Sequence, residues 1–334
     1  MLAAEYVLPL RWPPGTDAEE LTGYLGRLSR WLDVTVVDGS EPAVFERHHR
    51  LWADSIRHVP VAPQGVGNGK VAGVLTGLQL ARHEAVIIAD DDVRWALPEL
   101  RSAVDRLAEA DLVRPQNYFD PRPWHARWDT ARSLINRAFG SDYPGTYAVR
   151  RSTFAAMGGY DGDVLFENLE LSRTVEAVGG REYRADGLFV RREPPTARQF
   201  RGQRVRQAYD SLAQPTRMTA ELALLPATVG LAGWARSPDL RRRRAGRTGL
   251  AAGVIGAVAL AEHGRRRAGG RAVFPATAAL WAPVWLAERA ICAWLALARR
   301  LNGGVPYAGQ RLTVAAHSRR ELRRRRAGRR VLWS

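Results

Sequence analysis

Three short apolar runs constrain this chain more than any other feature: "EYVLPLRW" (5–12), "DVTVVDGS" (33–40) and "EAVIIADDDVRW" (84–95). Each is strand-length, and each ends at a turn or in charged residues. Between the first two, Leu21, Tyr24, Leu25, Leu28, Trp31 and Leu32 recur at helical spacing, with Thr16 and Glu19 at the spacing of a capping box before them. A helix near 43–54, a short strand near 56–61 and a further helix ending near 82 fill the second gap. Strands that alternate with helices predict an α/β fold whose sheet is mostly parallel and covered by helices on both faces. Ligands of such sheets bind beyond the carboxyl ends of the strands. Asp38, Lys70 and Asp90 to Asp92 all fall at such ends, so they are expected to converge.

Further on, "LVRPQNYFDPRPWHARWDTARSLINRAFG" reads as a strand, a loop and a helix in which Trp128 and Asp129 have a structural place. A helix closing at Gly179-Gly180, a strand near 187–191 and the helix "ARQFRGQRVRQAYDSL" follow. His48-His49 is expected on a solvated helix face, and no His/Cys cluster has the sequence spacing of a zinc site. After Pro215 the texture changes: apolar stretches at 218–235, 249–261 and 272–298 alternate with Arg runs. This gives expected divisions of 1–216 for a catalytic domain, 217–316 for an apolar and basic helical region, and 317–334 for an Arg-rich tail.

Charge follows the same division. The net charge is +16, yet residues 236–334 carry +18 by count and the first 235 carry −2. The basic third points to a polyanionic surface as partner. The lone Cys292 allows no intrachain disulfide, which fits a reducing compartment. The start of the chain carries neither a basic region nor a long apolar stretch, so no signal peptide is expected.

Lys and Arg together number 50, and Lys70 in "GVGNGKVAGVLTG" is the single Lys. A compact ammonium at a helix start, beside Gly67 and Gly69, suits a closely approaching anion better than a broad guanidinium does. The stretch is not a Walker loop, because Gln64 and Val71 stand where Gly and Ser/Thr belong. Asp90, Asp91 and Asp92 repel one another at the mouth of a buried strand. Mg²⁺ or Mn²⁺ is the usual remedy, because these cations take oxygen ligands and bridge carboxylates to phosphates. The alternative is a helix start, since Pro98 opens a helix just beyond.

Taken in order, "YVLPLRW", "VVDGS", "NGKVAGVLTG", "ADDDV", "GGYDGDVLFENLEL" and "QRVRQ" resemble the family 2 glycosyltransferases over roughly residues 5–210. The resemblance implies the GT-A fold, a nucleotide-diphosphate sugar donor and inversion at the anomeric carbon. It places Pro9, Leu10, Arg11, Asp38, Gly69, Lys70, Asp90 and Asp91 at the nucleotide-sugar, and Asp92 with Asp90 at the metal. Gln203 and Arg206 would stand near the acceptor or the leaving diphosphate. Glu167, with Glu170 second, becomes the candidate base for the acceptor hydroxyl. The chain departs from the family where Leu75 replaces an Asn, Asn168 an Asp and Gln207 a Trp.

The apolar stretches are short or interrupted and an Arg cluster follows each, against the positive-inside tendency for three clean spans. Interfacial or re-entrant helices on the cytoplasmic face of the cell membrane, with an anionic surface as partner, are therefore expected. The acceptor is then expected to be lipid-linked or part of the cell envelope. Two other functions start from the same residues: a nucleotidyltransferase acting on a sugar phosphate, and a non-catalytic protein binding nucleic acid or membrane. The first lacks a Gly-rich, Arg-Lys signature after the opening strand. The second is disfavoured for nucleic acid because the basic runs alternate with apolar segments, without interleaved aromatics.

Overall fold

The structure is a computed structural model that describes residues 1–140, 142–307 and 310–328. It divides into two compact units, Met1–Asn117 with Tyr143–Arg192 and Pro306–Ser334, and Tyr118–Asp142 with Glu193–Val305. The boundary expected near 216 therefore falls inside the second unit. The final segment does not stand apart as a tail, since from Pro306 it rejoins the first unit; residues 329–334 of the expected tail lie outside the described residues.

In the first unit the chain runs β1 (Ala4–Leu10), α1 (Glu19–Leu28), β2 (Asp33–Asp38), α2 (Pro42–Trp52), β3 (Arg57–Pro60), α3 (Gly69–Leu80), β4 (Ala85–Ala89), β5 (Val93–Arg94) and α4 (Leu97–Arg106). Next come β6 (Leu112–Phe119), α5 (Trp124–Ala138), β7 (Thr146–Arg150), α6 (Arg151–Ala156), α7 (Glu167–Ala177) and β8 (Glu182–Arg192), with α5 in the second unit. The eight strands form one sheet in the order β3-β2-β1-β4-β7-β6-β8-β5. The β3-β2-β1-β4 half is parallel, as expected from the sequence. Antiparallel pairing begins where β7 joins β4 and recurs between β6 and β7 and between β5 and β8.

Alternation along each strand sends side chains to opposite faces. Tyr6, Leu8 and Leu10 of β1 join one buried cluster with Leu21, Leu25 and Leu28 of α1, Trp52 of α2 and Leu100 of α4. Val7 joins the other, with Val71, Val74 and Leu78 of α3, Phe154 of α6 and Val175 of α7. Two glycines let α3 lie tight on the sheet. A Cβ at Gly73 would stand 2.7 Å from Pro9 Cβ, and one at Gly77 would stand 2.3 Å from Val7 Cγ1. Leu75, where the resembling family has Asn, packs beneath Gly159, whose positive φ and 2.5 Å Cβ clearance exclude a larger residue. The capping box expected at Thr16 and Glu19 is replaced by a different turn: Thr16 Oγ1 donates to Pro13 O, and Glu19 N donates to Asp17 Oδ1.

The second unit holds α5, α8 (Ala197–Tyr209), α9 (Pro215–Ala235), α10 (Leu240–Arg266) and α11 (Ala282–Leu301). Small residues let α9 and α10 approach closely, since a Cβ at Gly246 would meet backbone of Leu231, Trp234 and Ala235. Two helices, Pro215–Ala235 and Ala276–Leu301, are long and apolar enough to cross a membrane by length and composition. Asp129 is buried as a structural residue, paired with Arg132 at 3.1 Å and Arg204 at 3.2 Å. After α11 come β9 (Val305–Tyr307), β10 (Gln310–Leu312) and α12 (Arg319–Gly328).

Candidate active site

Register sets the ends of β1, β2 and β4 at one edge of the sheet. Leu10 of β1 lies opposite Asp38 of β2, and Val7 opposite Ile88 of β4, so Arg11, Asp38 and Asp90 emerge at one edge of the sheet. Arg11 is exposed there, while Pro9 and Leu10 serve packing and the backbone: Leu10 O accepts from Gly39 N at 2.8 Å.

Lys70 occupies the centre. Asn68 caps α3 by accepting from Lys70 N at 3.0 Å, which fixes where the side chain leaves the helix. Its ammonium lies 2.6 Å from Asp90 Oδ1, 2.8 Å from Glu167 Oε1 and 3.5 Å from Asn168 Oδ1. Burial alone would lower its pKa, but Asp90 and Glu167 outweigh that and raise it, so the group is a permanent cation. The glycine-rich stretch before it is packed against protein: Asn68 N donates to Gly162 O, and Gly67 N donates to Asp163 Oδ1. A Cβ at Gly162 would stand 2.6 Å from Val66 Cβ. The helix start thus joins β4 to the segment leading into α7.

The acidic triplet splits into three environments. Asp90 holds Lys70 with one oxygen and faces Arg192 Nη2 at 3.4 Å with the other. Gly145 makes room for it, since a Cβ there would lie 2.5 Å from Asp90 Oδ2. Asp91 Oδ2 accepts from Trp12 Nε1 at 2.5 Å. Asp92 Oδ2 accepts from Arg192 Nε at 2.8 Å, whereas its buried Oδ1 has no hydrogen-bond partner among the described residues. Burial pushes Asp92 up to about 6; Arg192 opposes the shift, while Asp90 and Asp91 add to it. An orphaned oxygen on a carboxylate strained by like charge is a donor set that fits a divalent cation. Arg192 was not legible as a site residue. It reaches the triplet because β8 pairs with β5, Arg192 opposite Val93, a long-range register with no sequence signature.

Asp38 turns inward and offers no open carboxylate to a nucleobase. Its Oδ1 accepts from Ser40 N at 2.8 Å, and its Oδ2 meets His48 Nδ1 at 2.7 Å and His58 Nε2 at 3.2 Å, all out of solvent. Burial raises its pKa, but these hydrogen bonds prevail and hold it down at about 2. The three ligand atoms lie within 4.8 Å of one another and are a possible cation cluster built from residues distant in sequence. His48 therefore corrects the expectation of a solvated face: it is fully buried, stacked on Trp52, while His49 is exposed.

Glu167 opens α7 and is nearly buried beside Lys70, where a base for a bound hydroxyl would need to be. Glu170 is placed elsewhere. It is fully buried and accepts from His317 N at 2.7 Å, with His317 Nδ1 2.9 Å from its other oxygen. That carboxylate anchors the final segment, which also pairs backbone with Leu165 and Phe166. Gln203 and Arg206 lie on α8 in the second unit, where Arg204 between them is the buried residue that ties α8 to Asp129. Gly69 starts α3, and a Cβ there would meet nothing within 4 Å among the described residues.

Fold and site together define an α/β protein with a cation-fitting acidic centre at the carboxyl edge of its sheet. No family model matches the chain, and no curated protein is similar to it. Among solved structures it is similar to the mannosyltransferase PcManGT from Pyrobaculum calidifontis in complex with GDP-Man and Mn²⁺, at 19% identity over 87% of each chain, with a TM-score of 0.48. It is also similar to mannosyl-3-phosphoglycerate synthase from Rubrobacter xylanophilus, at 14% identity, covering 60% of this chain and 69% of that one, with a TM-score of 0.41.

Proposed function

We propose that the chain is a metal-dependent, inverting glycosyltransferase of the family 2 type, moving a sugar from a nucleotide-diphosphate donor to a membrane-linked acceptor. One observation carries the reading: Lys70 joins Asp90, at the end of β4, to Glu167, at the start of α7, and Arg192 joins Asp90 to Asp92, whose buried Oδ1 has no hydrogen-bond partner among the described residues. This sets a candidate base and a cation-fitting carboxylate around one ammonium.

A Mg²⁺ or Mn²⁺ ion held by Asp92, with Asp90, would draw charge from the leaving diphosphate. The residues of the chain do the rest. Glu167 takes the proton of the acceptor hydroxyl, whose oxygen bonds to the anomeric carbon. The bond from that carbon to the diphosphate oxygen breaks, and the nucleoside diphosphate leaves with the electron pair. Lys70 holds the Glu167 carboxylate in position through their ion pair and adds positive charge next to the departing group. Asn168 serves as a strut, donating to Pro144 O at 3.0 Å, so the base role does not fall to it.

The membrane part of the reading rests on the second unit. Val229, Trp234, Leu240, Val254 and Ile255 are exposed along α9 and α10, and Arg241 and Arg242 are exposed at the start of α10. Apolar side chains with adjacent Arg favour an anionic lipid interface on the cytoplasmic side.

The test is a screen of nucleotide sugars with Mn²⁺ and membrane extract, comparing wild type with Asp92→Ala and Glu167→Gln. Sugar transfer by wild type alone is expected. Equal transfer by either variant rejects the corresponding role.

A further inference from the structure

Arg192, the last residue of β8, reaches the strand-end acids because it pairs opposite Val93 of β5. Its Nε lies 2.8 Å from Asp92 Oδ2, and its Nη2 lies 3.4 Å from Asp90 Oδ2. One guanidinium therefore spans the two carboxylates that fit a divalent cation. The backbone makes room for this arrangement at Gly145, where a Cβ would stand 2.5 Å from Asp90 Oδ2 and 3.2 Å from Arg192 Cζ.

Both oxygens of Asp90 are taken, Oδ1 by Lys70 at 2.6 Å and Oδ2 by Arg192. A divalent cation held by Asp90 together with Asp92 must displace one of the two. Lys70 is also anchored on Glu167 at 2.8 Å, whereas Arg192 stands at the end of its strand with its side chain partly exposed to solvent. Arg192 is therefore the one to move. Its guanidinium cannot stay beside the cation without cost, because its charge is permanent and like charges a few ångströms apart repel most where water is scarce.

Given the cation site read at Asp90 and Asp92, we propose that Arg192 competes with the divalent cation for these carboxylates and sets how tightly the free cation binds. The guanidinium is the counter-ion that the two acids keep when the cation is away, and it reduces their mutual repulsion. A cation takes the Oδ2 atoms only as Arg192 withdraws from them. Affinity for the free cation then scales with the fraction of molecules in which Arg192 has withdrawn. Arg192 is thus a positioning residue that acts through Asp90 and Asp92.

The experiment is a titration of the full chain with Mn²⁺ in the absence of any donor, followed by the electron paramagnetic resonance signal of free Mn²⁺. Salt is kept at about 0.15 M, where the screening length is roughly 8 Å. Arg192→Gln is expected to bind Mn²⁺ about tenfold more tightly than wild type or better, the worth of one hydrogen bond to a charged group. Arg192→Lys keeps a charge but cannot span both acids, so its affinity should fall between the two. Arg191→Gln removes a charge one position away, on the opposite face of β8, and should stay within about threefold of wild type. Asp92→Ala should abolish binding in the wild-type and Arg192→Gln backgrounds alike. Equal or weaker binding in Arg192→Gln, lost with Asp92→Ala, overturns the competition and leaves the cation site standing. An equal gain in Arg191→Gln also overturns it, because charge in general would then explain the effect. Saturable binding that persists in Asp92→Ala, or no binding by either wild type or Arg192→Gln, removes the cation site itself and the competition with it.

Discussion

The ammonium of Lys70 stands 2.8 Å from Glu167 Oε1, across 97 positions of sequence. The same nitrogen holds Asp90, so one side chain sets the spacing between the strand-end acids and the proposed base. Substitution by Arg keeps the charge but puts a broad planar group where a point charge fits. Lys70→Arg is expected to lower kcat/KM for transfer about ten- to a hundredfold by displacing Glu167. Steady-state rates with the identified donor check this, and an unchanged value removes the spacing argument.

Asp92 gives a pH prediction with a definite sign. Its folded pKa, about 6, lies above the ordinary 3.8, so the folded protein holds that proton more tightly. The associated stability is full below pH about 4 and is lost as pH rises through 6. A shift of roughly two units corresponds to about 3 kcal/mol at most. In EDTA, wild type should therefore lose stability relative to Asp92→Asn between pH 4 and 7. Added Mn²⁺ should close the gap. Urea denaturation at several pH values measures both effects.

Glu167 and Glu170, one helical turn apart, are expected to separate cleanly. Glu167→Gln removes the group that takes the proton and should cut the transfer rate by about 10²–10⁴ with little change in stability. Glu170→Gln weakens the anchor to His317 and should cost about 2 kcal/mol of stability, while the rate per folded molecule stays near wild type. Thermal melting and single-turnover transfer on both variants distinguish the roles.

How much of this was legible in the sequence depends on the range of the interaction. Apolar periodicity located β1, β2 and β4, and strand ends located Asp38 and Asp90, because those signals are local. The Pro at the start of α4 was likewise readable. Arg192 and His317 were not, because each arrives through pairing with residues a hundred or more positions away. Asp38 was recognised as a polar strand end, but its burial was set by His48 and His58 from a neighbouring helix and strand. Leu75 looked like a departure from pattern, yet its cause was the glycine packed over it. The grouping of α5 with the late helices, and of the final segment with the early strands, has no linear signal.

In the second unit, Arg289 is fully buried and all three guanidinium nitrogens lack a hydrogen-bond partner among the described residues, with Trp285 5.1 Å away. Burial lowers its pKa, although Glu221 and Glu288 oppose that. A desolvated charge without hydrogen bonds is a net cost, so Arg289→Met should stabilise the protein by about 1–3 kcal/mol. Arg204 is buried too, but it pairs with Asp129 at 3.2 Å, and Arg204→Met should destabilise by about 3 kcal/mol. Opposite signs from two buried arginines in chemical denaturation would establish that pairing, and not burial, decides the outcome.

The interfacial reading of α9 and α10 separates into an apolar and an electrostatic part that respond differently to salt. Val254 and Ile255 are exposed, and each side chain inserted into lipid contributes about 1–2 kcal/mol, so Val254→Ser with Ile255→Ser should weaken vesicle binding tenfold or more at any ionic strength. Arg241 to Arg244 act through surface potential, about 1 kcal/mol each when close to anionic headgroups. Their replacement by Gln should weaken binding strongly in low salt and much less in 0.5 M salt, where the screening length falls to a few ångströms. Cosedimentation with vesicles of phosphatidylglycerol and phosphatidylcholine measures both series. Binding that depends on the Arg run alone, and vanishes in high salt for wild type, would replace insertion with simple adsorption. Binding that ignores both sets of substitutions would remove these helices from the membrane.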